Sequence, residues 1–393
     1  MNGGRSSMRN NRDDIPEQLV VVGVPGTRRL RSFVDAAQRH GFESVEVVSY
    51  LDWIAGRCAA PAPGSLIRIE SPSECLPTMR AILKSGIDPL SALGETAISA
   101  AEIDRLDCGR GEMIHPRQWY FGFREILLQL SAAWSGDGIT WMSAPDTIIA
   151  TFDKLVCLGH WSQAGFPVPR QIPGIISYAQ LRAAIPANHA RLFVKLRYGY
   201  SALGAVALEW RGTLVRAITT MEVSWTEGRP RLFLSKRPRV LNSEQEIEWL
   251  IDTLAQQDII VEEWLPKARW KGLPFDLRVM VIGGRVQHVV GRANASPFTN
   301  LNLDAVRVSR EEIEKLIGAS WSEFETLCER AVAKVSGEGY LALDVLVRPG
   351  CQKFVLLEAN AFGDFLPGLL HCGQSTYAAE LEEGRCLRRE ALV

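Results

Sequence analysis

Short apolar runs, separated by turns and helical patterns, follow one another along this 393-residue chain. Residues 18–23 form a continuous apolar run typical of a buried strand, and a Gly-Val-Pro-Gly turn closes it at 23–26. A helical pattern over 29–40 and a second strand over 45–49 come next. This order predicts the opening of a small Rossmann-like domain. The turn has too few glycines for a dinucleotide fingerprint, which favours a plain strand-to-helix turn.

The remaining patterns predict an α/β protein whose second half is α+β with largely antiparallel strands. Predicted helices cover 78–85, 120–133, 153–163, 178–184 and 310–336, the last broken at Gly318. Predicted strands cover 66–69, 191–195, 205–210, 231–235, 259–263, 277–282, 286–290, 340–347 and 353–360.

Three oxygen-bearing side chains come together if the last two strands form a hairpin around Cys351. In that register Asp344 lies opposite Glu358, and Asn360 points to the same face. The two carboxylates would repel each other, and burial without a partner would destabilise the fold. A magnesium ion removes this problem, because it prefers oxygen ligands and keeps the rest of its shell for water and phosphate. The hairpin therefore indicates nucleotide chemistry.

Lys195 ends an apolar strand, and a loop of small residues with Tyr198, Gly199, Ser201 and Gly204 follows it. A lysine at such a strand end can meet phosphate charge, and glycine lets backbone N–H groups approach the phosphate oxygens. The same pattern also fits an ordinary hairpin with an exposed lysine.

A β-branched strand at 259–263 ends in Glu262 and Glu263, just before Trp264, Leu265 and a proline. Such a strand end can offer backbone hydrogen bonds to an adenine edge, with the tryptophan and leucine against the ring. The alternative is a strand that ends in two solvated acids.

Composition narrows the class of protein. The net charge is −1, so no overall electrostatic field favours a nucleic acid or a membrane surface. The eight cysteines are scattered without a Cys-x-x-Cys pair, which favours a reducing, cytoplasmic location. No apolar stretch approaches the roughly 20 residues of a membrane span. Residues 1–18 are polar and lack the apolar core of a signal peptide, so we expect a disordered leader.

The order of these elements resembles the ATP-grasp superfamily over residues 143–366, especially its carboxylate–amine ligases of the glutathione synthetase and ribosomal-protein glutamate ligase type. The matching parts are an entry segment with Phe-Asp-Lys, a lysine–glycine loop, a Glu-Glu-Trp-Leu hinge, an Asp-Leu-Arg strand and an Asp with Glu-x-Asn. The resemblance implies an ATP-grasp fold after a Rossmann-like N-terminal domain. The expected division is a leader at 1–18, the N-terminal domain at 19–142, a central subdomain at 143–262 and a C-terminal subdomain at 263–393.

The resemblance also implies a role for each matching residue. Arg278 would face the reaction centre, and Arg292 would face phosphate as the second catalytic arginine. Asp276 would face the ribose of the nucleotide. The expected nucleotide contacts are Lys154, Lys195, Tyr198, Gly199, Ser201, Gly204, Glu262, Glu263, Trp264, Leu265 and Asp276, and the expected magnesium ligands are Asp344, Glu358 and Asn360.

The implied function is an ATP-dependent ligase that activates a carboxylate as an acyl-phosphate for attack by an amine. A phosphotransferase and a non-catalytic nucleotide-binding protein are the alternatives. The expected cofactors are ATP and one or two Mg²⁺ ions, with Mn²⁺ as a substitute. The expected partners are small-molecule or peptide carboxylates and amines, with no nucleic acid and no membrane, and a homodimer is compatible with the sequence.

Two features bear on the acceptor. After Asn360 many such ligases continue with Pro-Gly, whereas residues 361–363 here read Ala-Phe-Gly, so the resemblance does not identify the substrate. His115 and His371 are candidate acceptor-site bases, although a loop histidine is more often simply hydrogen-bonded. Asn300 matches an asparagine in the loop that follows Arg292.

Overall fold

The computed structural model describes residues 18–72, 75–136, 138–185, 189–337, 339–363 and 366–391. Of the predicted leader, only Gln18 is among them, and it is already the first residue of a strand. The rest of the leader lies outside the described residues. No helix in the described ranges combines the length and apolar character that a membrane crossing needs.

The N-terminal part is a four-stranded parallel sheet in the order β2-β1-β3-β4, flanked by helices. Its central strands β1 and β3 are largely buried because both faces of the sheet are covered there, whereas the edge strand β2 is mostly exposed. This arrangement agrees with the predicted Rossmann-like unit. The elements are β1 (Gln18–Gly23), α1 (Arg28–Arg39), β2 (Ser44–Ser49), α2 (Tyr50–Ile54), β3 (Leu66–Ile69), α3 (Leu76–Ser85), α4 (Ile87–Ala92), α5 (Ala100–Arg105), α6 (Pro116–Ala133) and β4 (Thr140–Trp141).

A five-stranded antiparallel sheet follows, in the order β8-β7-β6-β5-β9. Two helices cover one of its faces, and their leucines and isoleucines share one apolar cluster with the strands. The sequence analysis missed β7 and α10 and recognised only part of β8. The outer halves of β7 and β8 are largely exposed, so they lack the apolar alternation of a half-buried strand. The elements are α7 (Pro145–Phe152), α8 (Lys154–Gln163), α9 (Tyr178–Ala184), β5 (His189–Leu196), β6 (Val206–Arg211), β7 (Leu214–Thr226), β8 (Arg229–Leu241), α10 (Glu244–Ala255) and β9 (Ile259–Glu263).

The C-terminal part is an antiparallel sheet in the order β13-β12-β11-β14-β15, with β10 paired to β11. The predicted break at Gly318 is confirmed, since a 3₁₀ turn separates two helices there. The C-terminal helix was not predicted. The elements are β10 (Arg269–Trp270), β11 (Leu273–Ile282), β12 (Arg285–Ala293), β13 (Val306–Val308), α11 (Arg310–Ile317), α12 (Trp321–Val335), β14 (Tyr340–Val347), β15 (Phe354–Asn360) and α13 (Thr376–Ala391).

Strand alternation gives this last sheet two unlike faces. On β11, Leu277 and Val279 belong to an apolar core that also contains α8 and α12. Asp276 and Arg278 therefore point to the opposite face. The sheet thus presents charged side chains on one side while its other side is sealed by helices.

The predicted hairpin between β14 and β15 is confirmed. Asp344 pairs directly with Glu358, and Ala342 pairs with Asn360. Cys351 adopts a positive φ of 55° in the connecting turn. A register shift directly after Asp344 bends the ladder at the carboxylate pair.

Candidate active site

A cavity of about 810 Å³, measured out to its open mouth, lies between the five-stranded sheet and the charged face of the C-terminal sheet. Most of the residues expected from sequence to contact a nucleotide or a metal line it together. They are Lys154, Lys195, Gly199, Ser201, Glu262, Glu263, Trp264, Leu265, Asp276, Arg292, Asn300, Asp344 and Glu358.

Lys195 points into this cavity from β5 and forms an ion pair with Glu262 of the neighbouring strand β9. Burial alone would lower the pKa of Lys195, but the carboxylates of Glu262 and Glu358 outweigh it and raise the pKa. The ammonium is therefore charged at neutral pH. The alternative of an exposed lysine is wrong, and so is a solvated acid at Glu262, which is 2% exposed. Glu263 does face solvent.

Lys154 connects the glycine loop to the carboxylate hairpin. Asp153 caps the N-terminus of α8 and binds Arg197 through two hydrogen bonds of 2.8 and 2.6 Å. Lys154, the next residue, donates to the carbonyl of Gly199, and its Nζ lies 3.7 Å from Glu358. The helix start therefore places a second ammonium at the cavity.

Two residues of the loop are placed elsewhere. The ring of Tyr198 stacks on Tyr120 with centroids 4.1 Å apart, inside an apolar cluster. Gly204 has a φ of +72°, and a Cβ there would lie 2.5 Å from Cγ of Leu196, so its role is in packing. Neither residue lines the cavity. We therefore correct the expectation that Tyr198 and Gly204 contact the nucleotide.

The Asp276 carboxylate lines the cavity and accepts hydrogen bonds from cationic and hydroxyl donors. Lys267 Nζ donates to it at 2.8 Å, Arg292 Nε donates at 2.9 Å, and the hydroxyl of Thr299 also donates. Burial would raise the pKa of Asp276, but Arg292 and Lys267 lower it well below the usual range. Asp276 therefore holds two cations in place, and its contact with a ribose stays a prediction.

Lys267 and Thr299 were missed by the sequence analysis, although both line the cavity. Lys267 is almost fully buried, and burial together with the nearby Arg292 and Lys195 charges lowers its pKa, while Asp276 opposes the shift. Neither residue belongs to a motif, and only the folding of their loops against β11 brings them to Asp276. No signal in the sequence could have identified them.

Asp344 is held between two arginines at the floor of the cavity. Arg278 Nε lies 2.7 Å from its Oδ1, and Arg292 Nη2 lies 3.1 Å from its Oδ2. Burial, with a further contribution from Glu358, raises the pKa of Asp344 despite these partners. For Glu358, Lys154 and Lys195 outweigh burial and lower the pKa. Asp344 and Glu358 therefore repel each other, and a bound cation would relieve this repulsion.

The donor set fits a hard divalent cation. Asp344 and Glu358 supply carboxylate oxygens, and Asn360 follows on the same face of β15. Its amide Nδ2 is buried and has no hydrogen-bond partner within the described part of the chain. A cation would take the other amide atom, Oδ1, because magnesium binds oxygen. Across the same described residues, no group of three or more His, Cys, Asp or Glu side chains is arranged to hold a metal. Two carboxylates and one amide match the few protein ligands that magnesium takes. Arg278 and Asn360 adjoin the cavity rather than line it.

The strand end at Trp264 forms an apolar wall of the cavity. The guanidinium of Arg191 lies 3.9 Å from the indole centroid, and Phe193 packs edge-on against the ring. The backbone N–H groups of Glu263 and Trp264 donate to carbonyls of Arg170 and Arg191 at 2.9 Å. Those two N–H groups are therefore already hydrogen-bonded within the protein. The predicted adenine contact would have to use other backbone groups of this segment.

The two candidate histidine bases do not line the cavity. His115 precedes α6 in a left-handed conformation, and burial lowers its pKa. His371 Nδ1 lies 3.1 Å from Arg310, and burial with that positive charge lowers its pKa. Their positions give no support to a role as acceptor-site bases.

Comparison with known proteins identifies the fold. No protein-family model matches the chain, and no curated protein matches it. Many solved structures are similar to the chain, and the following three each cover 95% of it. The ATP-grasp ligase PsnB with a phosphomimetic variant of its minimal precursor, Mg and ADP is 14% identical, with 95% of this chain and 100% of that chain covered and a TM-score of 0.51. The macrocyclase MdnC from Microcystis aeruginosa MRC, bound to precursor peptide MdnA, is 10% identical, with coverage of 95% and 99% and a TM-score of 0.51.

The third is N5-carboxyaminoimidazole synthase from Aspergillus clavatus in complex with ADP and a ribonucleotide. It is 14% identical, with 95% of this chain and 77% of that chain covered and a TM-score of 0.50. At these identities the likeness concerns the fold, and it agrees with the parallel N-terminal sheet and the two antiparallel sheets around the cavity. The chain therefore has the fold of the ATP-grasp ligase structure.

Proposed function

We propose that this chain is an ATP-dependent ligase that activates a carboxylate as an acyl-phosphate, which an amine then attacks. The observation that carries the proposal is the meeting of two lysines, Lys154 and Lys195, with the opposed carboxylates Asp344 and Glu358 at one cavity. Ammonium groups suit a polyphosphate, and paired carboxylates suit the metal ion that accompanies it.

ATP would enter with its adenine against Trp264 and Leu265 and its phosphates toward the two lysines. Gly199 and Ser201 line the same side of the cavity and could approach the phosphate oxygens through their backbones. Lys154 and Lys195 are each held by a carboxylate or carbonyl partner, so little reorganisation is needed when an anion binds.

Asp344, Glu358 and Asn360 would hold one or two Mg²⁺ ions, with Mn²⁺ as a substitute. When bound, the metal neutralises charge on the phosphates during transfer. The chain's own contribution is to hold the three ligands on two paired strands and to keep Glu358 ionised through Lys154 and Lys195.

Arg278 and Arg292 would stabilise negative charge that develops during transfer. Asp344 holds both guanidinium groups, and Asp276 additionally holds Arg292, so they are fixed before the reaction. Preorganised donors of this kind are worth about 2.7–4 kcal/mol each.

In the proposed reaction a substrate carboxylate oxygen attacks the γ-phosphorus, and the bond to the bridging oxygen breaks so that ADP leaves with the electron pair. The amine nitrogen then attacks the acyl carbon and loses a proton, and phosphate leaves. No nucleophilic side chain of the chain is needed.

Both peptides and small molecules remain substrate classes to test. PsnB and MdnC are solved with precursor peptides, and the Aspergillus clavatus enzyme is solved with a ribonucleotide. We further propose a reducing, cytoplasmic environment, supported by eight cysteines that are all free. The lack of a nucleic-acid partner stays a prediction, and so does a homodimeric state.

The test measures release of ADP and phosphate with a panel of carboxylates, each with and without an amine, including peptides that supply both groups. Phosphate release that requires both substrates supports the ligase. A stable phosphorylated product would instead identify a phosphotransferase. Binding of MgATP without turnover across the panel would favour a non-catalytic nucleotide-binding protein.

A further inference from the structure

A second set of buried charges links the N-terminal sheet to the segment that follows Asn360. We call it the arginine clamp, and it consists of Arg29 on α1, Arg68 on β3, Glu70 directly after β3 and Glu380 on α13. Arg68 and both glutamates are at most 2% exposed. None of the four lines the cavity described above.

The clamp is a continuous chain of charge-assisted contacts. Glu380 binds Arg68 at 2.6 Å, Arg68 binds Glu70 at 2.7 Å, and Glu70 binds Arg29 at 3.1 Å. The guanidinium of Arg68 also lies 4.0 Å from the ring centroid of Phe33. Removing one partner of a buried pair leaves an uncompensated charge, so each contact restrains the next.

The clamp ends on the backbone beside the candidate magnesium site. Arg29 Nη2 donates to the carbonyl of Phe362 at 2.6 Å. Phe362 is two residues after Asn360, and the N–H of Gly363 closes a tight turn onto the Asn360 carbonyl at 3.2 Å. This short turn cannot shift without displacing the Arg29 contact or the end of β15.

The other end of the clamp meets the same turn. Gly363 has a φ of +59°, and a Cβ at this position would lie 2.9 Å from Oε1 of Glu380. Only glycine fits this conformation and this close approach without strain. The turn is therefore held by the Arg29 hydrogen bond on one side and packs closely against Glu380 on the other.

We propose that the arginine clamp positions the amide of Asn360 for the metal, with Arg29 as the decisive positioning residue. The inference rests on the proposed function, because it assigns a purpose to the turn after a candidate magnesium ligand. The β14–β15 ladder fixes Asp344 and Glu358, whereas Asn360 is the last residue of its strand. A ligand at a strand end needs support from beyond the strand, and the N-terminal sheet supplies it here. Partners that orient a metal ligand typically contribute about 10–100-fold to metal affinity or activity.

The test compares Arg29→Ala with Arg29→Lys and with the matched control Arg31→Ala, an exposed arginine on the same helix. In Arg29→Ala we expect the Mg²⁺ concentration for half-maximal ATP turnover to rise about 10-fold or more. The KM for ATP at saturating Mg²⁺ should change little. Arg29→Lys should recover part of the loss, because lysine can reach one of the two partners but cannot bridge Glu70 and Phe362. Arg31→Ala should match the wild type.

Hydrogen–deuterium exchange gives a readout that does not depend on activity. In Arg29→Ala, amides in the segment 361–363 should exchange faster, while those of β14 should not change. Mn²⁺ binding in the presence of ADP, followed by electron paramagnetic resonance, should weaken in the same variant.

Unchanged exchange at 361–363 overturns the clamp, and faster exchange with unchanged Mg²⁺ and Mn²⁺ dependence overturns its link to the metal. If Arg29→Ala does not fold, the same measurements on Arg29→Lys decide the matter. A wild-type protein that neither binds MgATP nor turns it over would refute the proposed function, and the exchange experiment would still test whether Arg29 holds the turn.

Discussion

The cavity and the inner part of the arginine clamp, Arg68 with Glu380, both contain paired cations and carboxylates, yet they differ in access to solvent. In the clamp, the side chains of Arg68 and Glu380 are both 0% exposed. At the cavity, the side chains of Lys195 and Glu358 are 18% and 22% exposed. Charges sealed in the interior can only satisfy each other, whereas those that reach a cavity can exchange their partners for a ligand.

The two clusters also shift the pKa values of their glutamates in opposite directions. Burial raises the pKa of Glu380 to about 7, although Arg68 opposes the shift. The pKa of Glu358 is lowered instead, because Lys154 and Lys195 outweigh burial. Burial and the neighbouring Glu70 outweigh the arginines at Glu380, whereas the cations prevail at Glu358. An ionised Glu358 is the form that a metal requires.

The largest expected effect is on the cavity. Glu358→Gln removes one carboxylate of the metal pair, so we expect turnover to fall by at least about 100-fold while the fold survives. Glutamine also loses the attraction to Lys154 and Lys195 that lowers the Glu358 pKa, so the melting temperature should decrease slightly. Steady-state ADP release and a thermal melt check the two parts.

Glu323→Gln is the control for that variant, since Glu323 is exposed on α12. It should keep both activity and stability. Full activity in Glu358→Gln would show that the metal lies elsewhere.

A second experiment separates the proposed role of Lys195 in phosphate binding from its role as the ion-pair partner of Glu262. Lys195→Met should abolish the thermal stabilisation that MgATP produces, because a phosphate-facing cation is lost. It also leaves Glu262 buried without its partner, which costs about 3–5 kcal/mol of unfolding free energy. The double variant Lys195→Met with Glu262→Gln should recover stability without recovering the MgATP shift.

Lys271→Met serves as the control here, because the Lys271 side chain is 68% exposed. Its MgATP shift should equal that of the wild type. If Lys195→Met still shows a normal shift, the lysine does not contact the nucleotide.

The smallest expected effect is on stability and concerns Glu380 in the arginine clamp. The folded protein holds the Glu380 proton up to a pKa of about 7, whereas the unfolded chain releases it near 4.5. The contribution of Glu380 to stability is therefore fully present below about pH 4.5 and is lost as the pH rises to about 7. Glu380→Gln stays neutral throughout, so its stability relative to the wild type should improve as the pH rises through this window.

Urea unfolding of both proteins at pH 5 and pH 8 measures that difference, and taking the difference cancels the titration of other groups. A gap that stays constant between the two pH values would show that Glu380 is ionised in the fold at both.

Several parts of the candidate site follow from local pattern. The turn between β14 and β15 determines which residues of the two strands face each other, so Asp344 and Glu358 could be paired from the sequence. Alternation along β11 likewise turned Asp276 and Arg278 to one face. These inferences succeeded because the residues lie within one strand or one hairpin.

Other parts could not be predicted in this way. Tyr198 lies in the middle of the predicted glycine loop, but its ring stacks on Tyr120 of a distant helix. Lys267 has no motif around it, and its function as a partner of Asp276 depends on how its loop packs. Local pattern specifies neither contact.

The sequence alone determined many of the strands, the register of the last hairpin and the order of charged residues that resembles the ATP-grasp superfamily, because these depend on neighbours along the chain. Only the tertiary structure decided which charges are sealed and which reach the cavity. Arg29 meets the Phe362 carbonyl across 333 positions, and Arg68 meets Glu380 across 312. Contacts over such separations depend on how whole sheets and helices pack, which no local spacing encodes.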